Sequence, residues 1–192
     1  MSRRLSFVTA FALATAGLLA STAFIPTIAA EKTVNVGGAP MYPSKNIIQN
    51  AVNSKDHTTL VAAVKAAGLV DTLQSAGPFT VFAPTNMAFG KLPAGTVEGL
   101  VKPENKATLT KILTYHVVPG RLTAASLMKS VKEGGGTAHL KTVEGDALMV
   151  EQSGPGRLTV TDAKGDVSTI TIADVLQSNG VIHVVDTVLL PM

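Results

Sequence analysis

The stretch Gly77-Pro78-Phe79-Thr80-Val81-Phe82-Ala83-Pro84-Thr85-Asn86-Met87-Ala88-Phe89-Gly90-Lys91-Leu92-Pro93 decides the fold. Three of the five aromatic residues beyond position 30 lie in it, at Phe79, Phe82 and Phe89, and aromatic rings bury more apolar surface per residue than other side chains. A core is expected to form here. From Phe79 to Phe82 the chain alternates ring, hydroxyl, β-branched residue and ring, which suits a short strand with both faces covered. Pro84 has no amide hydrogen for a ladder, so the strand is expected to end near Ala83. Thr85 or Asn86 then caps a helical turn filled by Met87, Ala88 and Phe89.

Upstream, residues 31–43 carry Gly37-Gly38, Pro40 and Pro43 without a sustained period and read as an extended arm. Ser44 is a candidate N-cap for a helix with Ile47, Ile48 and Ala51 on one face; a second helix places Leu60, Val64 and Ala67 together and stops at Gly68. Downstream, Pro103 suits a first helical turn, and Leu109, Ile112, Leu113 and His116 recur at i, i+3, i+4 and i+7. That spacing puts His116 on a buried stripe. Thr123 caps a further helix bearing Leu127 and Val131, which Gly134-Gly135-Gly136 breaks.

Beyond Thr137 the pattern is strand-like: 138–143, 147–151, 158–161, 167–175 and 181–190, separated by turn residues. Asn179-Gly180 reads as a two-residue type I′ hairpin that pairs 172–176 with 181–185. Helices first and antiparallel strands later predict an α+β domain with helices flanking a sheet. His183 is expected as a half-buried strand residue bonded to backbone, with Asp186 as a candidate partner.

The first 30 residues read as a secretory signal peptide: Arg3 and Arg4 precede an uncharged run from Leu5 to Ala20, and small residues allow cleavage after Ala23 or Ala30. An uncleaved membrane anchor is the alternative, since the apolar stretch to Ile25 nearly reaches the length of about 20 residues that a span requires. Sixteen basic against thirteen acidic residues, less Arg3 and Arg4, leaves a net charge of +1. Without a basic stripe no nucleic-acid partner is expected. There is no cysteine, so neither a disulfide nor thiolate chemistry is available.

Catalytic patterns are wanting. No Gly-x-Ser-x-Gly elbow occurs, and the triple glycine follows a helix instead of a strand, unlike a phosphate loop. His57, His116, His139 and His183 lack ligand spacing, so neither metal nor cofactor is expected. Asp162, Asp166 and Asp174 are the one local concentration of carboxylates and form no evident acid and base pair.

Phe79-Thr80-Val81-Phe82-Ala83-Pro84-Thr85-Asn86, with Ala88-Phe89 and Leu92-Pro93, resembles the first signature of the fasciclin (FAS1) domain family. The family's Tyr-His motif is matched by Tyr115-His116, and its second signature by Asn179-Gly180-Val181-Ile182-His183-Val184-Val185-Asp186 with Leu189-Leu190-Pro191. The resemblance runs from about Ile47 to the C-terminus and divides the chain into leader 1–30, arm 31–43 and one domain over 44–192. It implies a wedge-shaped β-sandwich with flanking helices in the N-terminal half, and a secreted or periplasmic adhesion module without turnover, from a bacterium by its leader. In matrix members integrin recognition is attached to the Tyr-His motif and to an Asp-Ile pair. The resemblance thus implies Tyr115, His116, Asp174 and Val175 as partner-binding residues, although Ile172-Ala173 departs from the polar Asn-Lys of the animal motif. Phe79, Phe82, Pro84, Thr85, Asn86, Phe89, Asn179, Gly180, His183 and Asp186 fall to scaffolding. The partner expected is a protein or polysaccharide of a cell surface or matrix. The alternative is a carrier of a small, lipid-like ligand, or a hydrolase, with a pocket between helices and sheet.

Overall fold

The computed structural model describes residues 31–192; the leader expected over 1–30 and its cleavage site lie outside the described residues. Residues 34–41, expected to be part of an arm, fold into a hairpin of β1 (Val34–Val36) and β2 (Ala39–Met41). Val36 and Met41 are buried against the helices. Strands of three residues are too short to show a period in sequence.

Helix α1 (Ile47–Ala51) starts at Asn46 instead of Ser44. The Asn46 side chain accepts from the Gln49 amide while the Gln49 side chain accepts from the Asn46 amide, a closed capping box. A 3-10 turn over Lys55–His57 leads into α2 (Thr58–Ala67), which ends at left-handed Gly68 as its sequence demands, and α3 (Val70–Gln74) follows.

The aromatic stretch forms β3 (Phe79–Pro84) and α4 (Asn86–Gly90), with Thr85 Oγ1 capping by accepting from the Ala88 amide. The strand runs one residue past the expected stop because Pro84 stands at its very end, beside Val185, where no amide of its own is needed. Next come α5 (Thr96–Leu100), a 3-10 turn at Pro103–Asn105, α6 (Lys106–Tyr115), β4 (Val117–Pro119) and α7 (Ala124–Glu133), the last capped by Thr123. Strands β5 (Thr137–Lys141), β6 (Ala147–Gly154), β7 (Arg157–Thr161), β8 (Val167–Gln177) and β9 (Gly180–Val185) complete the fold.

Seven strands form one sheet in the order β4-β3-β9-β8-β7-β6-β5. Its pairs are antiparallel except β3 with β9, which are parallel. Two bulges bend β8 between Ile170 and Val175, folding the sheet back on itself. Its two ends come together where the Val143 amide donates to the Val117 carbonyl at 2.8 Å. The result is a nearly closed, wedge-like sandwich in an α+β domain.

Alternation along β3 divides the apolar residues between two cores. Phe82 points into the folded sheet, with Tyr115, Leu127, Leu148, Val150 and Leu189. Val81 and Ala83 face the helices, with Leu60, Val64, Leu109 and Leu113. Each fully buried aliphatic or aromatic side chain contributes about 1.5–3 kcal/mol, so the one short strand supports both halves.

The β8–β9 connection departs from the expected turn. Gln177 pairs with Gly180, so Ser178 and Asn179 are the loop residues, one position earlier than a type I′ turn at Asn179-Gly180. The strand pairing holds, but glycine is needed for another reason. A Cβ on Gly180 would collide with the Phe79 carbonyl of the parallel neighbour. Asn179 is buried, accepting from the Ile47 amide at 3.0 Å and donating to the carbonyls of Leu73 and Ser75 at 2.8 and 2.9 Å. One side chain thereby joins α1, α3 and the last hairpin.

Candidate functional site

Tyr115 and His116 close α6, and both are inside the protein. The Tyr115 hydroxyl donates to the Ala147 carbonyl at 3.0 Å and accepts from the Ala163 amide at 2.9 Å. Burial pushes its pKa up to about 12 against the opposing Ala163 hydrogen bond. His116 Nδ1–H donates to the Ile112 carbonyl at 2.8 Å, and Nε2 accepts from the Leu189 amide at 3.0 Å. These two partners fix one neutral tautomer. Desolvation lowers the pKa to about 4, outweighing the Ile112 contact and the charge of Asp162.

Asp162, one of the three neighbouring carboxylates in the sequence, has a structural role that its spacing did not reveal. It is buried, with Oδ1 accepting from the Lys164 and Asp166 amides, each at 2.9 Å, and Oδ2 from the Leu190 amide at 2.8 Å. His116 and Asp162 therefore hold the consecutive amides of Leu189 and Leu190, pinning the C-terminal segment across the sheet. The strand expected to continue to Leu190 ends at Val185, and from Thr187 the amides of Thr187, Leu189 and Leu190 turn to side-chain acceptors.

Asp174 sits in the β8 bulge at φ 56°, and no other non-glycine among the described residues has positive φ. Its carboxylate Oδ1 accepts from the Ala124 amide, the first of α7, at 2.7 Å, and the residue is half-buried. Val175 next to it is 1% exposed and belongs to the helix-side core. His183 is fully buried, where sequence suggested half-burial, and its ring stacks on Phe82 at 5.8 Å. Nε2–H donates to the Leu122 carbonyl at 2.8 Å and Nδ1 faces the Asp174 amide at 3.4 Å. Desolvation lowers its pKa despite the Leu122 contact and nearby Asp174.

Asp186 is not its partner. That carboxylate accepts from the Thr169 amide at 2.8 Å and lies 3.7 Å from Lys91 Nζ, tying β8 to the end of β9. Of the four residues that the resemblance implies for binding, Asp174 alone has substantial exposure. Tyr115, His116 and Val175 lie in the core and present no face to a partner.

Asp174 opens onto a groove between the N-terminal hairpin and β8, about 650 Å³ in volume, walled by Val34, Met41, Pro43 and Leu176 and edged by Glu31 and Lys32. Leu176 is 39% exposed there. Across β8 a second open groove of about 460 Å³ runs past Arg157, Thr169, Thr171 and Ala173. The bulge thus raises a ridge between two grooves. The hairpin wall is the feature sequence missed, because its burial depends on contacts with distant β8. Among the described residues no cluster of three or more His, Cys, Asp or Glu is placed to hold a metal ion, and no helix is long and apolar enough to cross a membrane.

Residues 55–191 match the model of the Fasciclin domain. The chain is 46% identical to Protein sll1483 of Synechocystis sp. over 87% of its own length and 88% of the relative's. It is 39% identical to Immunogenic protein MPB70 of Mycobacterium bovis over 73% of its length and 66% of that protein's. In three dimensions it resembles a FAS1 domain pair from the insect cell adhesion molecule Fasciclin I, with a TM-score of 0.68 at 20% identity, covering 84% of this chain and 58% of that one. The match over residues 55–191 takes in the aromatic β3 signature, the buried Tyr-His pair and the last hairpin, and the chain belongs to the fasciclin domain family.

Proposed function

We propose that this protein is an exported adhesion or interaction module, which binds a protein or polysaccharide surface in the periplasm or outside the cell and turns nothing over. The observation that carries the reading is the Asp174 ridge: a half-exposed carboxylate, held at positive φ, beside an apolar groove with charged edges. Rigidly supported, exposed loops and bulges are where binding residues collect. The likeness to a domain pair from a cell adhesion molecule supports the same class of work. The N-terminal sequence pattern supports export. The carrier alternative has less support, because the apolar space between helices and sheet is only about 50 Å³, far below the ~300–1,000 Å³ of ordinary small-molecule pockets.

The test uses residues 31–192 on a surface coated with envelope material from the producing organism. Saturable attachment is expected, reduced at least about tenfold by Leu176→Glu and Asp174→Asn and unchanged by Lys132→Ala at the opposite end of α7. A tenfold loss corresponds to about 1.4 kcal/mol. Attachment indifferent to both groove substitutions would reject the site.

A further inference from the structure

Between the helices and β3 lies a partly open cavity of about 50 Å³, walled chiefly by aliphatic side chains including Ile48, Leu60, Val64, Leu73, Val81 and Ile182. Three polar side chains reach its wall: Ser54, His57 and His116. Both ring nitrogens of His116 are already bonded, and Ser54 Oγ is bonded to His57 Nδ1 at 2.9 Å. That leaves His57 Nε2. The residue is 3% exposed, and this nitrogen makes no hydrogen bond. The Ala83 carbonyl lies near the ring without meeting hydrogen-bond geometry. Desolvation lowers the His57 pKa, so the ring is neutral and Nε2 offers one donor or acceptor, according to tautomer.

A buried polar atom without a partner costs about 1–3 kcal/mol. Buried water is held by ~2–4 polar partners, whereas this wall is chiefly aliphatic. An apolar molecule with one polar atom satisfies both the wall and the nitrogen. We propose that this cavity binds a small apolar molecule bearing a single hydroxyl or carbonyl group, its carbon chain among the aliphatic residues and its polar atom at His57 Nε2. The site is separate from the Asp174 ridge and does not depend on the adhesive reading.

Entry is by the N-terminal hairpin. Val36 and Met41 form part of the cavity wall, and β1 and β2 pair only with each other. The hairpin's tip rests on the 3-10 turn that carries the Ser54–His57 pair: Gly37 O accepts from the Lys55 amide at 3.2 Å, and any Cβ on Gly37 would collide with Ser54 Oγ. A two-stranded hairpin is marginal alone, so lifting it is the least costly opening in that wall.

The experiment follows methyl resonances of Val64 and Leu73 and the His57 ring nitrogens in residues 31–192, titrated with xenon and separately with ethanol, 1-propanol and 1-butanol. Xenon reports the cavity; the alcohols report its polar end. Saturable methyl shifts are expected with both, and a His57 Nε2 shift with alcohols alone. Val61→Phe, which fills the space from its partly exposed wall, should abolish both responses while the circular dichroism spectrum is retained. His57→Phe should keep xenon and weaken the alcohols at least fivefold. Absence of saturable shifts, persistence in Val61→Phe, or xenon binding without alcohol binding would overturn the proposal. Should His57→Phe fail to fold, the His57 nitrogen shift in the unaltered protein decides the polar contact by itself.

Discussion

Phe82 illustrates how much one residue carries. Its ring is fully buried, stacks on His183 and stands on the strand that separates the two cores. Phe82→Ala is expected to lose ~3–5 kcal/mol in urea unfolding, whereas Lys132→Ala on exposed α7 should stay within about 0.5 kcal/mol. Equal, small effects would mean that the aromatic signature is not core. Gly180 makes a sharper case, because its requirement is steric and not conformational. Its Cα faces the Phe79 carbonyl with no room for a methyl group, so Gly180→Ala should cost about 3 kcal/mol or more through displacement of β3 from β9. If Gly180→Ala unfolds at the same urea concentration as the parent, the close approach is wrong. Sequence identified this glycine and misread its reason, since a turn pair and a close backbone approach leave the same letter. Asn46 and Ser44 are a similar ambiguity: both are good caps, and the choice between them was made by Gln49 closing the box.

At the level of elements, the β8 bulge joins fold to function. Asp174 accepts from the first amide of α7, while its own amide faces His183 in the core. Asp174→Asn keeps an acceptor and tolerates the left-handed backbone, so stability should change by less than about 1 kcal/mol. Asp174→Ala loses the acceptor and strains the backbone, with an expected cost of about 2–3 kcal/mol. Thermal unfolding of the two variants separates the cap from the charge: equal losses would show that the carboxylate's charge, not its hydrogen bond, supports the bulge. Helices α2, α6 and α7 were legible because ten residues at period 3.6, with Gly68 and Thr123 at their ends, leave few alternatives. The N-terminal hairpin was not, because three-residue strands show no period and gain part of their burial from β8, well over a hundred positions away. The parallel pairing of β3 with β9 was hidden for the same reason, since both strands alternate in a way that suits either direction.

Across the whole molecule, three buried histidines share one electrostatic consequence. His57, His116 and His183 all have pKa values held below 6.5, chiefly by desolvation, His116 at about 4. The native state keeps them neutral while the unfolded chain protonates them below about pH 6.5. Their stabilising contribution is therefore complete above that pH and is lost as pH falls, with His116 alone accounting for about 3 kcal/mol by pH 4. Urea unfolding between pH 7.5 and 4.5 should show falling stability with a slope of up to about 1.4 kcal/mol per pH unit for each proton taken up. A flat profile would refute neutral, buried imidazoles. Tyr115 adds the opposite limit: its pKa of about 12 against 10 in the unfolded chain removes stability as pH rises through that interval.

The residues most readable in this sequence, Tyr115 and His116 among them, hold the structure together from inside, and the contact surface lies on the bulge and groove they support. Paired measurements of unfolding and attachment on two variants of residues 31–192 test that division directly. Tyr115→Phe removes the hydroxyl shared by Ala147 and Ala163 and should lose ~1–3 kcal/mol of stability with attachment to envelope-coated surfaces intact below its unfolding temperature. Leu176→Glu should do the reverse, keeping the unfolding temperature and losing attachment. Loss of attachment by Tyr115→Phe at unchanged stability, with Leu176→Glu binding normally, would contradict the account.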